Sequence, residues 1–260
     1  IASRLFQTYT LDGKGDISPL KLVALFTDQV PSNDTSRRFS AAYGFPIFET
    51  IGETLTLGGP SLAVDGVLLI AEHGDYPRSP TGNTVYPKRR FWDETVAVFR
   101  RSGRVVPVFI DKHLADNWAD AKAIYDEARS LHIPLMAGSS IPVTWRKPAV
   151  DVRRGAPLKQ IVMITYGSTD SYGFHALETV QALAEQRHGG ETGIASVQCL
   201  TNEAVWQAME NGVVPRDLFD AAWNRLPRHL NGARPLQVAV RRPVLFLLNY
   251  ADGLCAAVIE

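Results

Sequence analysis

Four places in the sequence hold side chains able to move protons or fix charge: Asp28, the run Glu72-His73-Gly74-Asp75-Tyr76-Pro77, the run Asp111-Lys112-His113, and the run Asp170-Ser171-Tyr172-Gly173-Phe174-His175-Ala176-Leu177-Glu178. An imidazole titrates near neutrality, so His73, His113 and His175 can each take or give a proton at ordinary pH. An ammonium such as Lys112 supplies a fixed positive charge for an oxygen that becomes anionic during a reaction, and carboxylates beside it can orient it. In the last run, Ser171, His175 and Glu178 or Thr179 share one helical face by their spacing of three and four. Gly173 inside that helix costs about 1 kcal/mol relative to alanine and marks the close approach of a ligand or another backbone. Singly, Asp28 reads as a cap, residues 72–75 as a polar loop and Lys112 as a solvated lysine. Three of the four clusters, however, directly follow an apolar run, and that coincidence points to a ligand.

The elements that must position these residues follow from the hydrophobic pattern. Apolar runs at 21–28, 64–71, 105–111 and 133–137 are short and nearly continuous, which predicts strands buried on both faces. Helical patterns lie between them: 32–43 ending at Gly44, 86–102 ending at Gly103, and 116–131, where Trp118, Ala121, Ala128 and Leu131 line one side and Asp120, Lys122 and Asp126 face outward. The order β-α-β-α-β-α-β predicts an α/β unit: a parallel sheet with helices on both faces and right-handed crossovers. Ligands of such sheets sit outside the carboxyl ends of the strands, where Asp28, Glu72–Asp75 and Asp111–His113 fall. Beyond about residue 140 the pattern changes to a strand at 160–166, a helix at 168–186, a strand at 194–200, helices at 202–210 and 215–225, and strands at 236–249 and 254–260. That predicts an α+β domain with a mostly antiparallel sheet, and a boundary near residue 150 dividing the chain into 1–150 and 151–260.

Composition limits the partners. The 260 residues are 45% apolar and carry 27 basic and 27 acidic side chains, so no net charge draws the chain to nucleic acid or an anionic membrane. The longest apolar stretch, 238–258, is broken by Arg241, Arg242, Pro243, Asn249 and Asp252 and is not a membrane span. Two cysteines, Cys199 and Cys255, make neither a disulfide framework nor a zinc knuckle, and a reducing, cytoplasmic location is expected.

The motifs resemble the Gfo/Idh/MocA-type oxidoreductases. The segment 106–138 resembles the family's strand ending in Glu-Lys-Pro with its alanine-rich helix and last Rossmann strand. Residues 41–51 (AAYGFPIFETI) resemble its Tyr-Gly-x-Pro helix end, and Gly173-Phe174-His175 is similar to the Gly-x-His of its Asp-x-Gly-x-His helix. There are departures. Glu-Lys-Pro reads Asp111-Lys112-His113, and the helical Asp is Ser171, with Asp170 adjacent. No G-x-G-x-x-G follows a strand; Gly13-x-Gly15 precedes one. EHGDYP, DKHL and GSSxPVTWR mark a divergent branch. The chain opens at Ile1 without methionine and stops at Glu260 inside a predicted strand. It therefore reads as truncated at both ends, with 1–9 the tail of the helix after a glycine loop.

The resemblance implies a Rossmann-like first domain, a nicotinamide cofactor and hydride transfer to or from a secondary alcohol or ketone of a sugar-like or polyol substrate. It implies Lys112, His175, Asp111 and Asp170 as the catalytic group. Asp28, Glu72, His73 and Lys112 would hold the cofactor, and Asp75, Tyr76, His113, Arg146 and Ser171 the substrate. Asp28 at a strand end favours NAD over NADP. No metal is expected, the partner is a carbohydrate-like small molecule, and a homo-oligomer is expected. Two rival readings remain: a metal-dependent lyase or hydrolase using Glu72, His73, Asp75, His113 and His175, which no HExxH-like spacing supports, and a non-catalytic binding protein on the same scaffold. Gly138-Ser139-Ser140 is no nucleophile elbow, so serine hydrolysis is set aside. Asn33-Asp34-Thr35 reads as a helix cap and not as a glycosylation site.

Overall fold

The computed structural model describes residues 5–6, 15–144, 146–149, 152–226 and 236–260. The expected helix tail at 1–9 thus lies outside the described residues except at 5–6. The chain forms two compact units, Ile1–Gly138 and Ser139–Glu260, so the connection after residue 138 goes with the second.

In the first unit, β3 (Val67–Leu69), β4 (Val108–Asp111) and β5 (Leu135–Gly138) form a parallel sheet in that order, linked by α3 (Lys88–Ser102) and α4 (Trp118–Ser130). A second parallel pair joins β1 (Leu25–Phe26) to β2 (Ile47–Phe48), with α1 (Ser36–Tyr43) between them and α2 (Ile51–Thr56) after. Helix ends follow local chemistry. Gly44 and Gly103 adopt left-handed φ values of 72° and 61° after α1 and α3, where a side chain would be strained. Asp34 accepts from the Ser36 N–H at 3.0 Å at the start of α1, and Asn117 accepts from the Asp120 N–H at 2.9 Å to cap α4.

The core sets Trp92, Val96 and Phe99 of α3 and Ile124 and Ala128 of α4 against Val67, Leu69, Val108 and Ile110 of the sheet. Burying each large side chain stabilises by roughly 1.5–3 kcal/mol. Trp92 and Arg100 both donate to the Glu127 carboxylate at 2.7 Å, which ties α3 to α4.

Three expectations are corrected. The strands of this sheet are buried on one face only: Leu68 is 43% and Met136 69% exposed. Successive crossovers of one hand in one direction put their helices on one side, and both α3 and α4 join the same core. The run 21–28 yields only a two-residue strand, because β2, its partner, is itself two residues long between Pro46 and the Thr50 cap of α2. Trp118, expected inward, is 79% exposed in the first turn of α4, and the buried stripe begins at Ile124.

The second unit is a mixed sheet ordered β6 (Gln160–Ile164), β9 (Cys255–Ile259), β8 (Val244–Tyr250), β7 (Ile194–Thr201); β6 and β9 are parallel and the other pairs antiparallel. Alternation divides its apolar residues between two layers. Ile161, Leu248, Tyr250, Ala256 and Val258 pack on α5 (Phe174–Ala184). Leu245, Ala257 and Ile259 pack with Val205 of α6 (Glu203–Glu210) and Phe219 of α7 (Arg216–Trp223). The strand expected at 236–249 begins only at Val244, after a short helix α8 (Leu236–Ala239). Pro243 lacks the N–H a ladder needs and marks the break. The helix expected at 168–186 opens as a π-helical turn, Thr169–Gly173, before α5. Among the described residues no helix is long and apolar enough to cross a membrane.

Candidate active site

The carboxyl ends of β3 and β4 bring the first set of predicted residues together. Lys112, just past β4, lies with its ammonium 2.9 Å from the Glu72 carboxylate beyond β3, each side chain about 15% exposed (14% and 16%). Asp111 Oδ1 accepts from the Lys112 backbone N–H at 2.8 Å. Beneath them sits a residue that the sequence reading missed: Lys88, at the start of α3, is 2% exposed. Its Nζ donates to the Asp111 and Lys112 carbonyls at 3.0 and 2.9 Å. A lysine following Pro87 gives no sequence signal of burial, and only the fold of the β4 end over α3 creates it.

The charges of this cluster depend on one another. Burial pushes Glu72 up, but the hydrogen bond and charge of Lys112 outweigh it and hold the carboxyl below its ordinary value. Asp111 is raised, first by burial and then by the neighbouring Glu72 charge, against the bond from the Lys112 N–H. Of this carboxylate pair Asp111 is therefore the one that binds a proton first. Burial lowers Lys88 to about 8, against the pull of Asp116, Asp111 and Glu72. His113 turns Nδ1 to the Ala115 carbonyl at 3.0 Å and lies 3.8 Å from Asp116.

A second group gathers at the end of β1. Asp28 Oδ2 pairs with Arg90 at 2.6 Å and accepts from the Tyr76 hydroxyl at 2.9 Å. Burial, followed by that bond to Asp28, pushes the Tyr76 phenol up to about 12. Gln29 brackets Asp75, accepting from its N–H and donating to its carbonyl. Tyr76, expected beside substrate, is thus tied to the expected cofactor acid. His73 projects outward with 90% of its side chain exposed, 3.7 Å from Glu72. Next to Asp28, a cavity of about 550 Å³ is lined by Thr27, Arg37, Ser40, Ile47, Phe48 and Glu49, with Arg37 donating to Thr27 Oγ1 at 2.8 Å. None of these six was expected as a site residue, although Ile47, Phe48 and Glu49 lie within the motif at 41–51.

The second unit carries Arg146, Asp170, Ser171 and His175. The π-helical turn holds Asp170 and Ser171, and the Ser171 N–H donates to the Ser168 carbonyl at 2.9 Å. His175 Nδ1 is hydrogen-bonded to Ser139 Oγ, and the Tyr172 ring stands edge-on to the imidazole at 6.3 Å. The close approach expected at Gly173 is not seen: a Cβ there would meet only side chains at ordinary contact distance, 3.4 Å from Glu260, 3.5 Å from Thr169 and 3.8 Å from Phe246. Among the described residues no three His, Cys, Asp or Glu side chains are grouped as a metal site.

No family model and no curated protein matches the sequence. Solved structures do. A myo-inositol 2-dehydrogenase from Lactobacillus plantarum superposes with a TM-score of 0.52 at 10% identity, covering 100% of this chain and 65% of that one. A dehydrogenase from Chromobacterium violaceum gives 0.50 at 13%, covering 92% and 57%. GenD2 of gentamicin A biosynthesis, in complex with NAD, gives 0.50 at 14%, covering 92% and 58%. The matched structures are Gfo/Idh/MocA-type dehydrogenases, and their fold, a Rossmann-like parallel unit followed by an α/β unit with a mixed sheet, is the fold of this chain. The chain spans between about half and two thirds of their length (53% to 65%).

The residues present fit one end of a dinucleotide. Both contacts to Asp28 go to Oδ2, and a carboxylate at a strand end can also accept from ribose hydroxyls. The adjoining cavity offers the apolar side chains of Ile47 and Phe48 to a base and the Arg37 guanidinium to a polar edge.

Proposed function

We propose that the protein is an NAD(P)-dependent oxidoreductase acting on a secondary alcohol or ketone of a polyol or sugar-like substrate, with NAD preferred. The observation that carries the reading is the Lys112–Glu72 pair at the carboxyl ends of two parallel strands in a Rossmann-like unit. Dehydrogenases acting on such substrates share the fold. When bound, the nicotinamide supplies the hydride donor or acceptor.

The chain's own residues do the rest. Asp28 accepts from ribose hydroxyls, with Glu72 and His73 as further cofactor contacts. The Lys112 ammonium faces the substrate oxygen and offsets the negative charge that develops there. Glu72 holds that ammonium in place, and Asp111 fixes the backbone from which it extends. In the second unit, His175 is the group that exchanges a proton with the substrate, with Asp170 as its neighbouring acid. Asp75, Tyr76 and His113 of the first unit, and Arg146 and Ser171 of the second, are the proposed contacts to substrate hydroxyls.

The test is binding of NAD+ and NADP+ by calorimetry, with nicotinamide reduction followed in the presence of myo-inositol and related polyols. NAD+ binding is expected, together with a loss of turnover on the order of 100-fold in Lys112→Ala while the circular dichroism spectrum is unchanged. Failure of both dinucleotides to bind, or wild-type turnover in Lys112→Ala, overturns the reading.

A further inference from the structure

Ser139 follows β5 directly and belongs, like His175, to the second unit. Its Oγ meets His175 Nδ1, and three further bonds fix the two partners. The Ser139 N–H donates to Glu178 Oε2 at 3.1 Å, the Ile141 N–H donates to Ser139 Oγ at 3.0 Å, and Thr179 Oγ1 donates to the His175 carbonyl at 2.9 Å. The hydroxyl is therefore held from both sides: its backbone is anchored on α5 through Glu178, and one of its lone pairs is taken by Ile141. A serine oxygen has two lone pairs, so one remains to accept from an imidazole N–H.

We propose that Ser139 is the positioning residue of His175: its Oγ accepts from Nδ1–H, holds the ring in that tautomer and makes Nε2 the nitrogen that exchanges a proton with the ligand. The inference rests on the reading of His175 as the proton-transfer group and adds the residue that aims it. In alcohol oxidation the Nε2 lone pair takes the hydroxyl proton and the ring becomes imidazolium. In ketone reduction the imidazolium gives the Nε2 proton to the substrate oxygen, and the N–H electron pair stays on Nε2. The Nδ1–H bond to Ser139 is intact in both states, so one hydroxyl serves both directions without itself gaining or losing a proton. Without it, Nδ1 loses the acceptor that selects this tautomer.

The decisive measurement is imidazole nitrogen NMR of the whole chain, with the His175 resonance assigned by its loss in His175→Gln. In the wild type above the imidazole titration, His175 is expected to show the Nδ1–H tautomer. Ser139→Ala is expected to redistribute it toward Nε2–H, and Ser139→Thr, which keeps a hydroxyl, to restore the wild-type pattern. A merely structural role for Ser139 would not move the tautomer ratio. A neutral His175 in the Nε2–H form in the wild type, or identical nitrogen shifts in wild type and a folded Ser139→Ala, overturns the inference. With NAD+ and myo-inositol, Ser139→Ala should lower kcat about tenfold, the scale of one lost hydrogen bond, at little changed KM. Absence of turnover in the wild type would count against the proposed function, while the tautomer result would still decide the role of Ser139.

Discussion

Lys88 offers the sharpest test of the site's electrostatics. Its ammonium is 2% exposed and bonded to two main-chain carbonyls, and burial brings its pKa down to about 8 from 10.5. A lysine whose folded value lies below its unfolded value penalises the charged folded state at neutral pH. As pH rises through 8, the folded protein releases a proton that the unfolded chain still holds, so stability increases up to the unfolded value. Linkage gives a gain of about 2 kcal/mol between pH 7 and 9.5 from this group alone. Tyr76, raised to about 12, acts oppositely but only above the ordinary phenol value near 10, so the window below that belongs to the lysine. Urea unfolding at several pH values, followed by tryptophan fluorescence, measures this for wild type and Lys88→Met. Trp92 in the same core is fully buried and reports on this unit. The absolute stability of the variant mixes a removed charge with two carbonyls that lose their donor, but the pH slope does not. Wild type should gain about 2 kcal/mol relative to Lys88→Met across the window; parallel slopes would refute the reasoning.

Removing the Lys112 ammonium leaves burial as the main influence on Glu72, so Lys112→Ala should raise the Glu72 carboxyl, measurable by carbon NMR titration of its side chain. Arg187 is 3% exposed and binds both oxygens of Asp252 at 2.8 and 3.0 Å, and this bond holds the Asp252 carboxyl well below the usual carboxylate range. The stability it contributes is present above the unfolded carboxylate value and is lost as pH falls through the folded one. Arg187→Met should therefore lower the thermal midpoint at neutral pH and flatten its decline on acidification. Ile124→Ala opens a hole between α4 and the sheet at a fully buried position and should cost about 2–5 kcal/mol in denaturant unfolding.

The parallel layer was legible because β3, β4 and β5 are apolar runs between helices with strong periodicity and glycine stops at Gly44 and Gly103. β2 and α2 were not, since Ile47-Phe48 and the six residues of Ile51–Thr56 are too short for either period to emerge. Trp118 misled for a related reason: periodicity tells which face of a helix is apolar, and not where along its length the sheet begins. The candidate residues at strand ends were visible as charges after apolar runs. Lys88 was not, because nothing in a lysine after Pro87 distinguishes it from solvated neighbours, and Ser139, although noted in Gly138-Ser139-Ser140, carries no signal that it meets His175.

Local propensity and short-range periodicity in the chain were enough for the order of the longer elements, the helix stops at Gly44 and Gly103, and the strand ends at which polar side chains would gather. Tertiary structure alone decided which of those side chains touch. Lys112 reaches Glu72 from another strand, Lys88 meets the two carbonyls at the β4 end, and Ser139 meets His175 across a gap of 36 positions. Pairings at such separations are fixed by how layers pack, and a charge or hydroxyl acquires its chemical character only from the neighbours that packing supplies.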